Sequence, residues 1–333
     1  MSAAFTSITV HESELPQARR KALHAALAAG DIAGKWLYDS PAQAQCWLEY
    51  HQAYSPSRTD TALQGLYDQA FQRALAALDG DLPWHAVSLG CGGGRKDRAL
   101  LEQAARMGRD AAQLHYTPLD SSPALVLEAL GEVRAGHPRV RQHPLVADLG
   151  AAPPLGPWLG KQEGGATARL YTCFGMIPNF EPAPFLAYLR GLLRPADRLL
   201  LSANLSPRGF PTDQPRILPQ YDNPHARRWY WCLLDHLGVP PGHLVLSVEA
   251  RALEPTGNAW RIEARGRVRH AFVLPVEGQT HRFAEHAALR VFFSNRFTRG
   301  GIGPLLATAG LVIEDEWLHP GGEESIFLLR AGS

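Results

Sequence analysis

The sequence predicts an α/β fold, a doubly wound parallel sheet with an inserted α+β lobe, and three observations predict it. Between Trp84 and Leu205, short apolar runs alternate with amphipathic segments, which is the pattern of parallel strands joined by right-handed helical crossovers. The first of these runs, "WHAVSLG", leads into the glycine cluster Gly90-Cys91-Gly92-Gly93-Gly94, where bare backbone replaces side chains. Beyond Leu205, Pro207, Pro211, Pro215, Pro219 and Pro224 break the alternation, and the pattern that follows suits antiparallel strands.

Taken in order, "ELPQARRKALHAALAAG" and "SPAQAQCWLEYHQAY" place apolar residues at three-to-four spacing and read as helices. "SPSRTD" breaks the pattern, and "TDTALQGLYDQAFQRALAAL" restores it with Thr59 or Thr61 as N-cap. The core then reads as strand "WHAVSLG", helix "RKDRALLEQAARM", strand "QLHYTPLD", helix "PALVLEALGEVRAG", strand "RQHPLVADL", strand "ARLYTCFG", helix "PAPFLAYLRGLL" and strand "RLLLSANL". After the proline-rich linker come helix "HARRWYWCLLDHLG" and the alternating runs "HLVLSVEAR", "AWRIEARGRVR" and "ALRVFFSNRF". A last helix, "GIGPLLATAG", precedes the strands "LVIEDEWLH" and "SIFLLR" that return to the main sheet. The expected division is residues 63–204 with 294–333 as the core, and residues 1–62 with 205–293 as the second lobe.

The chain has 333 residues, 45% of them apolar, enough for two moderate cores. With 33 basic against 32 acidic side chains there is no net field to draw in nucleic acid or anionic lipid. The expected partner is a small molecule, and the sequence does not fix the oligomeric state. The four cysteines form no C-x-x-C pair and the fourteen histidines no ligand-spaced pair, so neither a disulfide framework nor a metal site is expected. No apolar run reaches bilayer length and the amino terminus lacks a signal pattern; a cytoplasmic protein is the expectation.

A strand ending at Leu89, then glycines, then a helix aims backbone N–H groups at a ligand lying across the strand ends. The dinucleotide pattern G-x-G-x-x-G fails at Arg95, whereas Gly90-x-Gly92 suits the shorter loop of enzymes that use S-adenosylmethionine (SAM). Asp120 closes the next strand, where a carboxylate can accept both hydroxyls of a ribose. Asp148 closes the strand after that, within reach of an adenine amino group. Each mark alone also suits a turn or a helix cap; their order and spacing together describe a nucleoside pocket.

These residues resemble the SAM-dependent histidine Nα-methyltransferases of ergothioneine biosynthesis and the related fungal enzymes that methylate prenylated tryptophan. The resemblance is carried by "KWLYDSPA", "YSPSRTD", "LGCGGGRKDR", "TPLDSSP", "FGMIPNFEP", "QYDNP" and "VFFSNRF", nearly the full length of the chain. It implies a Rossmann-like class I methyltransferase core with SAM as cofactor. Gly90, Gly92, Lys96, Asp120, Ser121, Asp148, Leu149, Phe174 and Gly175 are then the cofactor-binding residues. Tyr38 and Asn179 are the implied catalytic residues, positioning the amine. Tyr38, Tyr54, Asn179, Tyr221, Phe292 and Ser294 are the implied substrate contacts, with Tyr221 on the carboxylate and Ser294 near the side chain.

Two departures from the family pattern matter. Ser88 stands where an acid usually precedes the glycine loop, and Phe292 where histidine-specific members carry the glutamate that pairs with the imidazole. A phenyl ring cannot accept an imidazole N–H, while burying a flat aromatic side chain contributes about 2 to 3 kcal/mol. The expected substrate is therefore an amino acid or derivative with an apolar or aromatic, tryptophan-like side chain. Histidine is the alternative, as are a SAM-binding protein without catalysis and a dehydrogenase with an unusual loop. In "RRWYWCLL", Trp229, Tyr230 and Trp231 cannot share one helix face, so one belongs to the core while another can reach the cleft.

Overall fold

The computed structural model describes residues 6–54 and 60–332. Thr59 lies outside the described residues, and Thr61 is already helical. The cap of that helix is Asp60, whose carboxylate accepts from the Leu63 amide at 3.1 Å; aspartate is as good an N-cap as threonine.

The doubly wound core is present. Strands β2 (Trp84–Leu89), β3 (Leu114–Asp120), β5 (Leu145–Val146), β6 (Ala168–Cys173) and β7 (Arg198–Asn204) are parallel, and β13 (Leu311–Leu318) and β14 (Glu324–Ala331) form an antiparallel pair at one edge. With β1 (Thr9–Val10) at the far edge, the order is β1-β5-β3-β2-β6-β7-β14-β13, with the short β4 (Arg141–Gln142) beside β3. "RQHPLVADL" thus supplies two strands of two residues where the sequence suggests one. The strand order reverses between β2 and β6, so the crevice beyond their carboxyl ends is where this architecture receives ligands.

Every residue of β2 and β6 is buried, because helices cover both faces of the sheet. Trp84 and Ala86 pack with Phe71 and Leu101 from α3 (Thr61–Ala76) and α4 (Arg95–Arg106). Val87 and Leu89 point the other way, toward Leu159 and Leu186 from α6 (Leu155–Glu163) and α7 (Pro182–Leu192), as a two-residue side-chain period requires. Helix α5 (Pro123–Gly136) packs beside α4 on β3, and α9 (Arg299–Thr308) leads into β13.

The remaining elements pack around one further core. Helices α1 (Pro16–Ala29), α2 (Pro41–Tyr54) and α8 (Pro224–Leu237) join the antiparallel strands β8 (Leu244–Ala252), β9 (Ala259–Val268) and β12 (Ala288–Phe297). Leu27, Trp36, Trp229, Tyr230, Trp260 and Phe292 meet in that core, so residues from the amino terminus and from the insertion bury one another. The hairpin β10 (Phe272–Val276) and β11 (Gln279–Phe283) belongs here too and goes unread in the sequence. Its Glu277-Gly278 turn has φ of 42° and 86°, the two positive values of a primed hairpin turn.

Two features cross the expected division. Thr9–Val10 forms a parallel edge strand beside β5, so this part of the segment assigned to the lobe belongs to the core sheet. The boundary placed at residue 293 falls inside β12, which runs unbroken to Phe297. There the Ser206 amide donates to Phe297 O at 2.8 Å, joining the two sheets where the chain leaves and re-enters the core.

Candidate functional site

The glycine cluster forms the turn at the end of β2. Gly90, Gly92 and Gly94 have φ of 74°, 51° and 73°, a region closed to most side chains. The Gly90 and Cys91 amides both donate to Leu119 O at 2.9 Å, pinning the loop to β3. Gly94 caps α4 with no side-chain hydrogen bond, which leaves the amino-terminal N–H groups of that helix to the cleft. Trp47 of α2 lies on this loop: a Cβ at Gly92 would sit 2.9 Å from its ring.

A cavity of about 590 Å³ opens here between the strand ends and the lobe, and every site residue singled out in the sequence lines it. On its floor, Asp120 accepts from the Ser122 amide at 3.0 Å and the Gly92 amide at 3.4 Å. Desolvation raises its carboxyl to about 6 against the pull of those amides. Ser121 follows it in the lining. Asp148, with Leu149 beside it, is held by the Gly150 amide at 2.7 Å and by Lys35 at 2.8 Å. Lys35 also pairs with Glu14 at 2.9 Å, tying the amino-terminal segment to the pocket floor.

Phe174 and Gly175 follow β6, and the Gly175 amide donates to Ser202 Oγ at 3.0 Å. Lys96 Nζ donates to the Tyr67 hydroxyl at 2.6 Å and lies over the Tyr67 and Phe174 rings at 4.1 and 5.1 Å. Tyr67 in turn donates to Glu324 on β14. Tyr67, Ser202 and Glu324 line the cavity and were not singled out in the sequence; β14 is remote in the chain and reaches the site only through the sheet order.

Toward the lobe, Tyr38 ends the 3₁₀ turn Lys35–Tyr38 and Asn179 ends the turn Ile177–Asn179. The two side chains are hydrogen-bonded, and burial pushes the Tyr38 phenol far above its ordinary range. The Tyr38 ring packs against Trp47 and Trp229 at 5.7 and 5.3 Å. Tyr54 is 43% exposed and touches Tyr50 and His225, so it stands at the mouth and not deep inside. Trp229 lines the cavity and donates its indole N–H to Leu37 O at 2.9 Å, whereas Tyr230 is fully buried in the lobe core.

Phe292, Ser294 and Arg296 alternate along β12 and point into the cavity together. Phe292 is at once lobe core and cavity wall, packed against Tyr221, Trp229 and Tyr230 at 5.7, 5.6 and 5.4 Å. The Tyr221 and Ser294 hydroxyls are 3.1 Å apart. Arg296 escaped the sequence reading, although the period-two pattern through 292 and 294 leads to it.

The profile of a family described as histidine-specific, SAM-dependent methyltransferases matches residues 19–331. The chain belongs to that family. No curated protein matches this methyltransferase. Among solved structures it is similar to the CcbJ methyltransferase from Streptomyces caelestis, at 12% identity over 80% of this chain and 90% of that one, with a TM-score of 0.40. It is likewise similar to a SAM-bound amino pentose methyltransferase, CalS10 from Micromonospora echinaspora, at 17% identity over 84% and 96%, TM-score 0.38. The glycopeptide N-methyltransferase MtfA complexed with SAM is 12% identical over 78% and 92%, TM-score 0.37. The methyltransferase uses SAM, and its cavity floor suits that group: bare glycine backbone at positive φ, an uncapped helix start and two strand-end carboxylates. No described helix is long and apolar enough to cross a membrane.

Proposed function

We propose that the enzyme methylates the α-amine of an amino acid, or a derivative of one, whose side chain is apolar or aromatic, tryptophan-like in shape. The observation that carries this is Phe292: its ring faces the cavity amid Tyr221 and Trp229, at the position where histidine-specific relatives are expected to place a glutamate. An apolar wall favours a flat ring by burial and offers an imidazole N–H no acceptor.

In this reading Gly90, Gly92, Lys96, Asp120, Ser121, Asp148, Leu149, Phe174 and Gly175 hold SAM, with Asp120 on the ribose and Asp148 near the adenine. When bound, SAM supplies an electrophilic methyl group on a sulfonium. The protein's own work is positioning. Tyr38 and Asn179 fix the amine, and Trp47 with Trp229 excludes water from above. Residues 1–62 and 205–293 act as the substrate lobe over a core of 63–204 and 294–333.

Histidine is the second reading, favoured by the description of the family and by the Ser294 hydroxyl in the same wall. The test is to incubate the protein with labelled SAM and a pool of amino acids, then identify the labelled product by mass. Tryptophan or another aromatic or apolar amino acid should carry the label on its α-nitrogen. Strong preference for histidine overturns the reading, and no labelled amino acid at all overturns both.

A further inference from the structure

Among the described residues three arginines lie almost wholly inside this protein, and two of them have carboxylate partners. Arg169 pairs with Glu163 at 2.7 Å and Arg261 with Glu181 at 2.8 Å. Arg296, at 4% exposure, makes no ion pair among the described residues. Its Nη2 donates to the Tyr221 hydroxyl at 2.9 Å and to Gln220 Oε1 at 3.1 Å, and Nη1 donates to Leu205 O at 3.4 Å. Its Nε is buried without a hydrogen-bond partner among the described residues. The Glu323 carboxylate stands one amide away, on Gln220 Nε2 at 3.0 Å, and is itself paired with Arg216.

A guanidinium is always charged, and burying it with neutral partners alone carries a desolvation cost that a carboxylate would offset. The cavity it lines is the place from which such a carboxylate can come. Tyr221 links the two. Because its oxygen accepts from Arg296, its own proton is free to point toward Ser294 or toward a bound ligand. An anion accepting that proton would sit beside the guanidinium and complete the missing pair.

We infer that Arg296 positions Tyr221 and supplies the buried positive charge that makes the site select substrates with a free carboxylate. This rests on the amino-acid reading above and goes beyond it, since a site for neutral amines would need no such charge. The carboxylate that the family resemblance already assigns to Tyr221 then lies beside Arg296, the side chain runs along Phe292 and Ser294, and the α-amine faces Tyr38 and Asn179, which fixes which end of the substrate meets the methyl donor.

The test compares tryptophan with its methyl ester on wild type, Arg296→Met and Arg296→Lys, with affinity for demethylated cofactor (S-adenosylhomocysteine) read alongside. Wild type should favour the free acid by at least about 30-fold in kcat/KM, the scale of losing one partner of a buried charge pair. Arg296→Met should lose the acid and leave the ester nearly as before, so that the ratio collapses, with the loss in KM and S-adenosylhomocysteine affinity unchanged. Arg296→Lys should recover most of the preference. Merely structural damage would lower acid and ester together, and that result overturns the inference. So does a wild type that takes both equally, a result that needs no variant to fold. If another amino acid is the labelled product of the pool experiment, its own ester replaces that of tryptophan; if none is, the amino-acid reading and the inference fall together.

Discussion

The Ser88 hydroxyl donates to Asp97 Oδ1 at 2.9 Å, and the Tyr116 hydroxyl to Oδ2 at 2.6 Å. The acid missing from the strand before the glycine loop is thereby replaced by one from the first turn of α4, lining the same cavity. Ser88 thus holds a carboxylate beside the loop by a hydrogen bond in place of carrying one itself.

Asp97 makes stability depend on pH. Desolvation lifts its carboxyl to about 6, against the hydrogen bonds of Tyr116 and Ser88 and the charge of Lys96. Asp120 is lifted to about 6 in the same way. An unfolded aspartate titrates near ~3.9, so between these values the folded chain binds more protons than the unfolded one. Stability contributed by these groups therefore rises as pH falls from about 7 to about 5. The opposite sign belongs to Glu163, which Arg169 and His85 hold down to about 2 despite its desolvation, and whose contribution is lost only at lower pH. Urea melts at pH 7 and pH 5 should show Asp97→Asn gaining less on acidification than wild type. An equal gain would remove Asp97 from the account.

The two outer glycines of the cofactor loop should fail differently. A Cβ at Gly94 would lie 2.6 Å from Ala129 Cα, backbone of α5 that cannot step aside, whereas at Gly90 it would meet the flexible Met176 side chain. With left-handed φ strained in both, Gly94→Ala should cost stability on the order of 2 kcal/mol or more, seen as a drop in Tm. Gly90→Ala should keep most of its Tm and lose SAM affinity by calorimetry. A reversal of the two effects would show that the loop packs otherwise.

Asn179 should separate binding from turnover. Its side chain is hydrogen-bonded to Tyr38 and lines the cavity with it. Asn179→Ala is expected to abolish methylation while calorimetric affinity for SAM stays within about twofold, because positioning alone contributes several kcal/mol to such a transfer. Tyr38→Phe should fall between the two. Retained turnover in Asn179→Ala would take it out of the site.

The fold was legible where the physics is local. Buried parallel strands read as apolar runs, and prolines open α1, α5, α7 and α8 at the first helical position. What escaped depends on distant partners or on disguise. β1 is two exposed residues whose only strand-like property is a neighbour 136 positions on, Thr9 facing Leu145. α6 hides behind Gly156, Pro157 and Gly160, and the hairpin behind Pro275 and its charged turn. Asp97 sits in the first turn of a helix, where an acid is ordinary, and only the packing of α4 on β2 and β3 turns it toward Ser88. Glu324 reaches Tyr67, and through it Lys96, because β14 lies beside β7, which no spacing rule foretells.

Phe292 offers the sharpest measure of substrate choice, because it belongs to the lobe core and the cavity wall together. Removing the whole ring would leave a void among Tyr221, Trp229 and Tyr230 and cost about 3 to 5 kcal/mol, so truncation to alanine would confuse folding with recognition. Phe292→Leu keeps much of the volume and should lower Tm only modestly. If the ring forms one wall of an aromatic slot, that change should reduce kcat/KM for tryptophan on the order of tenfold through lost stacking and burial. A small apolar amino acid such as alanine, which cannot reach the wall, should be methylated at nearly the wild-type rate. The comparison is made on one preparation with both substrates, so altered folding would appear as equal losses. Equal losses, or a tryptophan rate untouched by the change, would mean that Phe292 serves the core alone.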